Sequence, residues 1–463
     1  MHQIKDKGHD GANVQADHIQ MLFTRQVDQG YAWVALAASF SIHFTIGLMA
    51  YTFGVINISI MEEIEDDITK TSWIGSTLFG TTCLSGPVAC MVHQRLGSRN
   101  TAMIGGVLML IGMTLAYFCH TVFGLFITYG LITGVALGIA ANVAGVVPGQ
   151  YFLKRRPIAF GVSMAGSGAG LFTGPFARYL LDQYHLHGTL LIMGGIGFNM
   201  CIAGALLRPV RHQETNKPIA SKTEEGGCSQ QDSEATTLMV PEEEANSVQS
   251  SDVGSPKPIC KVSLLLTRLR IFIQLDFVMY NVSVLLWCLG ASSCIIHLPN
   301  YAEYKGSSPI QAATLLTAAG AGSIFSRIFV GIISSDPNID DVMLQVGITG
   351  VTGILALVFP LFPPSYNAQL VFSFLYGTYC HGVYSLLGPM AIHFHGLPNA
   401  SISYGILCFF IGVGQLLGPP IASLLYKTSG IYEFTYIFSG VCSILSSISA
   451  ASTSVLRRRR RSD

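Results

Sequence analysis

The sequence is short of charge. Of its 463 residues only 11% are Asp, Glu, Lys or Arg, against about 25% in ordinary soluble proteins. So few charges cannot cover the surface of a water-soluble protein of this length. The two signs also cancel, 26 basic against 26 acidic, so no net field draws a nucleic acid. The 11 cysteines are scattered, with no CxxC pair and no Cys/His cluster at zinc spacing. Cys83, Cys90, Cys119, Cys201, Cys294 and Cys380 lie in apolar runs and behave there as small hydrophobes. No disulfide framework, metal or cofactor is expected. Residues 1–30 are polar and hold no apolar leader core, so the first span is expected to direct insertion itself. No GxSxG, HExxH or Walker-type loop stands in a suitable context, and the short loops leave no room for a catalytic domain. An enzyme is not expected.

What is present is apolar length. Half the residues are hydrophobic and 49 are glycine, with a mean hydropathy of +0.49. A spanning helix needs about 20 predominantly apolar residues. Such runs occur near 31–58, 73–92, 101–119, 122–148, 158–181 and 189–207, then near 271–298, 308–334, 343–362, 367–392, 402–426 and 432–456. The expectation is an all-α polytopic membrane protein with twelve transmembrane helices in two six-helix halves. Its parts are a tail at 1–30, a first half at 31–207, a linker at 208–270, a second half at 271–456 and a basic tail at 457–463. The linker segment Glu214–Ser255 mixes Glu, Ser, Thr, Gln and Gly with few large apolar residues, so it cannot bury a core and is expected to be disordered.

Orientation follows from Lys and Arg in short loops. With twelve spans, Arg95, Arg99, Lys154, Arg155, Arg156, Arg208, Arg211, the linker's Lys257, Lys261, Arg268 and Arg270, and the run Arg457–Arg461 fall on one side. The other side has Lys70, Lys305 and Lys427 singly, with acidic Glu62, Glu63, Glu65, Asp66 and Asp67. Both termini and the linker are therefore expected in the cytoplasm.

Two halves joined by a cytoplasmic linker are the layout of major-facilitator transporters, which bind substrate between the halves and alternate access by rocking. Small-residue strings such as Gly130–Gly138 permit close helix approach. The clearest basic residue deep in a span is Arg327, in the eighth. Placing it there costs about 2.5–3.5 kcal/mol even on the lenient insertion scale. It either faces a wet cavity, where its planar guanidinium grips a carboxylate, or snorkels to the cytoplasmic interface. Three histidines also fall in spans, His43, His297 and His381. Each titrates near neutral pH when solvated, or serves as a hydrogen-bonded packing residue.

Three stretches resemble the monocarboxylate transporter family. Asp28-Gln29-Gly30-Tyr31-Ala32-Trp33 is similar to that family's entry into span 1, with Gln29 where glycine is common. Tyr151-Phe152-Leu153-Lys154-Arg155-Arg156-Pro157-Ile158-Ala159-Phe160-Gly161-Val162-Ser163-Met164-Ala165-Gly166 resembles its span-5 signature at nearly every constrained position. Gly418-Pro419-Pro420-Ile421-Ala422, followed by Gly430-Ile431-Tyr432, is like its span 11–12 corner. The resemblance covers about 28–440. It implies a plasma-membrane secondary transporter for monocarboxylates or related carboxylate-bearing solutes. Arg327 matches the family's substrate-binding arginine.

Two departures touch the mechanism. Proton-coupled members carry an aspartate one turn before that arginine and a lysine in span 1; here Ser323 and Tyr51 stand at or near those positions. Proton symport is therefore open, and uniport of an anion or zwitterion, such as an aromatic amino acid, is the competing expectation, with a transport-inactive sensor of the same fold as a third. Candidate substrate contacts are Arg327, Ser323, Tyr51, His43, His381, Asn142 and Tyr384. Candidate gating and signature positions are Asp28, Trp33, Lys154, Arg155, Gly161 and Gly166. The expected partners are the bilayer and a small organic anion or amino acid, with a proton and a single-span ancillary glycoprotein left open.

Overall fold

A chain in lipid must satisfy its backbone internally, and helices do so segment by segment. The computed structural model describes residues 28, 30–64, 68–208, 274–363 and 365–462, and among them the regular structure is helical. In chain order the helices of the first half are α1 Tyr31–Glu63, α2 Ile68–Leu84, α3 Gly86–Tyr117, α4 Val122–Tyr151, α5 Arg156–Ala169 and α6 Gly174–Ala205. In the second half they are α7 Leu275–Tyr304, α8 Pro309–Ile333, α9 Asp341–Val358, α10 Tyr366–Cys380, α11 Val383–Ser429 and α12 Glu433–Ser462. The expected tail at 1–30 and linker at 208–270 lie almost wholly outside the described residues.

Nine helical runs among the described residues are long and apolar enough to cross a membrane. Three of them contain a break: α3 at Gly97 (φ 74°, ψ 171°), α6 at His185 (φ 57°, ψ −176°) and α11 at Gly396 (φ 72°, ψ 172°). At these points the chain reverses within one residue. Counted with the breaks, these runs are consistent with twelve crossings in a six-plus-six architecture. The second crossing is α2 continued by α3 as far as Gly97, and the tenth is α10 continued by α11 as far as Gly396. Helices overrun the apolar runs read from sequence. α1, for example, continues through Glu62 and Glu63, because helical hydrogen bonding persists where polar side chains meet water.

Each half buries its own core. Ile42, Met109, Leu137 and Leu190 are shielded in the first, and Trp287, Leu315, Phe359 and Tyr436 in the second. Apolar residues such as Ile111, Ile202, Phe325, Ile354 and Leu445 stay exposed, as a lipid-facing surface requires. Two irregularities sit beside the seam between halves. A 3₁₀ turn, Gly170–Thr173, separates α5 from α6, and α10 stops at Cys380 before α11 starts at Val383. Such interruptions occur at membrane depth where neighbouring protein or a wet cavity satisfies the freed backbone groups.

Two backbone-to-backbone approaches between halves lie toward the side that carries the chain termini. α5 crosses α8 with no side chains between: a Cβ at Gly161 would lie 2.5 Å from the Arg327 carbonyl oxygen, and one at Gly331 would lie 3.0 Å from the Gly161 Cα. α3 meets α11 the same way at Gly86 and Gly405. The molecule is closed on the terminus-bearing side.

Candidate functional site

Arg327 projects from α8 toward α5, across the seam. It is 5% exposed, so it does not snorkel to an interface. Nη1 donates to the Met164 carbonyl at 2.7 Å and to Ser167 Oγ, both on α5. The guanidinium carbon stands 5.2 Å from the Tyr384 ring centre. Tyr51 and Tyr404 are within electrostatic reach of its charge, as are His43 and His381. Among the described residues no carboxylate pairs with it. Its Nε is buried and has no hydrogen-bond partner.

The surrounding groups His43, Ser163, Ser323, His381, Tyr384 and Trp287 come from five crossings. His43 on α1 holds its Nδ1 3.1 Å from the Ser39 carbonyl and 3.0 Å from Ser163 Oγ. A carbonyl only accepts, so Nδ1 carries the proton and Nε2 is a bare acceptor. That Nε2 is buried and unpartnered, and so is Ser323 Oγ, one turn before Arg327. His381 caps the end of α10, with Nδ1 3.2 Å from the Gly377 carbonyl, and lies nearly parallel to the Tyr384 ring with centres 6.2 Å apart. Trp287 backs Tyr384 edge-on at 4.9 Å and donates its indole N–H to the Cys380 carbonyl at 3.1 Å. The structure therefore gathers Arg327, Ser323, Tyr51, His43, His381 and Tyr384.

Asn142 is placed elsewhere, in a buried cluster nearer the termini. Its Oδ1 accepts from His93 Nδ1 at 3.0 Å and from Ser401 Oγ at 2.7 Å, while its Nδ2 donates to the Ser401 carbonyl at 3.1 Å. Ser401 Oγ also lies 3.0 Å from His93 Nδ1, and His93 Nε2 lies 2.9 Å from Ser98 Oγ. α3 and α4 of one half are thereby tied to α11 of the other.

The signature positions meet each other. Asp28, held at φ 63°, accepts from the backbone N–H groups of Leu153, Lys154 and Arg155 at 2.9–3.3 Å. Burial pushes its carboxyl up, but these three donors and the Arg155 charge outweigh that and hold it below the usual carboxylate range. Trp33 packs edge-on against Phe152 at 5.4 Å. The span-1 entry and the span-5 signature are thus two sides of one joint. The Lys154 and Arg155 side chains are exposed, and it is their backbone N–H groups that the joint uses. Gly161 makes the α5–α8 crossing, and Gly166 lets α5 approach α1 at Phe40 and Phe44.

Sequence reasoning did not single out Met164, Ser167, Tyr404, His93 or Ser401. Ser167 was within reach, directly following Gly166 at the end of the span-5 pattern.

The chain matches the Major Facilitator Superfamily over residues 39–406. It is 31% identical over 426 residues to monocarboxylate transporter 2 of Mus musculus, covering 90% of this chain and 83% of that one. It is 27% identical over 441 residues to monocarboxylate transporter 12 of Homo sapiens, covering 95% and 83%. Among solved structures, the human organic anion transporter MFSD10 superposes with a TM-score of 0.64 at 11% identity, over 91% of this chain and all of that one, a likeness of fold alone. Matched along most of its length in both directions, the chain belongs to the monocarboxylate transporter family of the Major Facilitator Superfamily.

Proposed function

We propose that this transporter carries a carboxylate-bearing organic solute across the plasma membrane by alternating access, with Arg327 as the carboxylate anchor. The observation that carries the reading is the state of that arginine. A buried guanidinium without an anion is costly, several kcal/mol after relaxation. Its Nη1 is occupied by α5, whereas Nε is unpartnered. A carboxylate approaching the Nε–Nη2 edge makes two parallel charge-assisted bonds and leaves the Nη1 anchor in place. The name shared by the relatives, monocarboxylate transporter, points to the same ligand chemistry.

Two neighbours favour a second polar group on the solute. His43 Nε2 lacks a donor and Ser323 Oγ lacks any partner. An α-hydroxy or α-amino acid presents a donor beside its carboxylate. The rings of Tyr51, Tyr384 and Tyr404 favour a second reading within the same class, a zwitterionic aromatic amino acid. With both termini in the cytoplasm, as the Lys and Arg distribution indicates, the state closed on the terminus side is closed to the cytoplasm.

Coupling follows from what stands next to the anchor. A carboxylate beside Arg327 would change the ion pair with its protonation state. Ser323, on the preceding turn, does not titrate. The proposal is therefore facilitated transport without a carboxylate proton relay.

Uptake of radiolabelled pyruvate, L-lactate and L-tyrosine into vesicles, with and without a pH gradient, tests the reading. Saturable flux of at least one probe is expected, insensitive to the gradient and lost in Arg327→Ala. Absence of saturable flux for all three would sink the carrier. Flux unchanged in Arg327→Ala would sink the site, and alkalinisation of the outside medium on entry would restore proton coupling.

A further inference from the structure

We infer that Ser167 is a positioning residue for the substrate carboxylate, and that it makes the site bind more tightly from the face opposite the termini than from the terminus-bearing face. The inference rests on Arg327 as the carboxylate anchor. Arg327 belongs to the second half, and its own carbonyl accepts from Ser385 Oγ on α11 at 3.0 Å. The tip of its side chain is held by the first half. Met164 and Ser167 stand three residues apart on α5, on one face of the helix. Ser167 Oγ donates its proton to the Met164 carbonyl at 2.9 Å. Its lone pairs are thereby left for Nη1, and the direction of the Ser167–Arg327 bond is fixed. The guanidinium cannot rotate while both acceptors hold Nη1, so Nε stays aimed away from α5.

This clamp exists only while α5 and α8 are together. They touch backbone to backbone at Gly161 and Gly331, on the terminus-bearing side of Arg327. Rocking of the halves to open that side must part this crossing. Nη1 then loses Met164 and Ser167 together, and the guanidinium becomes a freely rotating, hydrated group. A substrate arriving from the terminus side must order it again, whereas one arriving from the opposite side finds it fixed. Preorganisation of this kind raises affinity by reducing the ordering that binding requires. Microscopic reversibility supplies a constraint. With no gradients imposed, Vmax/KM must be equal for the two directions, so the lower KM on one face comes with a lower Vmax from that face.

The test is zero-trans entry and exit in oriented vesicles, with radiolabelled pyruvate and L-tyrosine as probes and surface labelling to normalise protein. Entry is from the face opposite the termini. Wild type is expected to show a lower KM for entry than for exit. Ser167→Ala removes a hydrogen bond to a charged group and should raise the entry KM by about tenfold, with the exit KM changed by less than about twofold. Ser167→Thr keeps the hydroxyl and should restore the wild-type ratio. If Ser167→Ala does not reach the membrane, Ser167→Cys, a weak acceptor, is expected to show the same split. Equal effects on both faces, or none, overturn the inference while leaving the anchor standing, provided Arg327→Lys still abolishes saturation. Saturable flux that survives Arg327→Lys, or no saturable flux of either probe, overturns the anchor and this inference with it.

Discussion

At the scale of single residues, burial separates groups that look alike in the sequence. Arg327 is legible because a charge within an apolar run stands out and its desolvation must be answered by something. Ser167 is not, because the spans hold many serines and helical period does not say which of them meets the opposite half. Gly161 shows how closely the two are linked. An added methyl would meet the Arg327 carbonyl oxygen at 2.5 Å and the Gly331 Cα at 3.1 Å, both backbone atoms that cannot swing away. Overpacking of this sort costs about 1–3 kcal/mol, and here relief comes only by parting α5 from α8. Gly161→Ala is therefore expected to lower uptake at least about tenfold while surface labelling shows the protein in the membrane. Uptake at the wild-type rate would mean that the crossing tolerates separation. Asp28 lends itself to a pH test. Its folded carboxyl is held below its ordinary value, near 3.9 for a free aspartate, so its contribution to stability is full above that value and fades as pH falls through the folded one. The melting temperature of purified wild type should exceed that of Asp28→Asn by a constant margin from pH 8 to about 5, and the margin should close in stronger acid. A margin that widens with acid would contradict the backbone-donor arrangement at Leu153, Lys154 and Arg155.

At the scale of elements, apolar length alone gives the spans, and the polar interruption after Leu207 gives the division into halves. What length does not give is the manner of reversal. Two of the three one-residue breaks fall on glycine, which enters positive φ without penalty. The third falls on His185, at φ 57° and ψ −176°, a region populated almost only by glycine. The gap between the runs ending at 181 and starting at 189 predicts a loop there, but nothing in Tyr184-His185-Leu186-His187 says that His185 carries the turn. The break is held from outside, where the Leu186 N–H donates to Glu63 Oε1 at the end of α1 at 3.2 Å. Backbone strain of this kind amounts to about 1–3 kcal/mol. His185→Gly should release part of it and raise the melting temperature of the purified protein by roughly 2–4 °C. An unchanged or lower value would show that the histidine ring contributes more than its backbone loses. His187, two residues on, lies 4.6 Å ring to ring from His120, so the same substitution at His187 is a poor control and Tyr184→Gly a better one.

At the scale of the whole molecule, the two clusters at the seam differ in how far their polar groups are satisfied. Around Arg327 unpartnered buried polar atoms stand on both sides of the seam. Around Asn142 the polar groups are partnered, and side-chain type alone does not distinguish these environments. The Asn142, His93 and Ser401 bonds, at 2.7–3.1 Å, join α3 and α4 to α11 on the terminus-bearing side. Opening that side must break those that cross to Ser401. A group tied in this way sets the balance between the two access states, because a bond present in one state and absent in the other shifts their ratio by its net free energy. Removing about 1 kcal/mol from the closed state moves the population roughly fivefold. Cys90 reports on the change. It is buried on α3, beside the Gly86–Gly405 approach of the same seam, and should react only when the seam parts. In inside-out vesicles, a membrane-impermeant maleimide should modify Asn142→Ala and Ser401→Ala roughly fivefold faster than wild type, and the increment should vanish when Cys90 is replaced by Ala. Equal rates in all three proteins would mean that the hydrogen bonds are remade with water as the halves separate. The closed state would then rest on the other seam contacts, among them Gly86–Gly405, Gly161–Gly331 and the Arg327 bonds to α5.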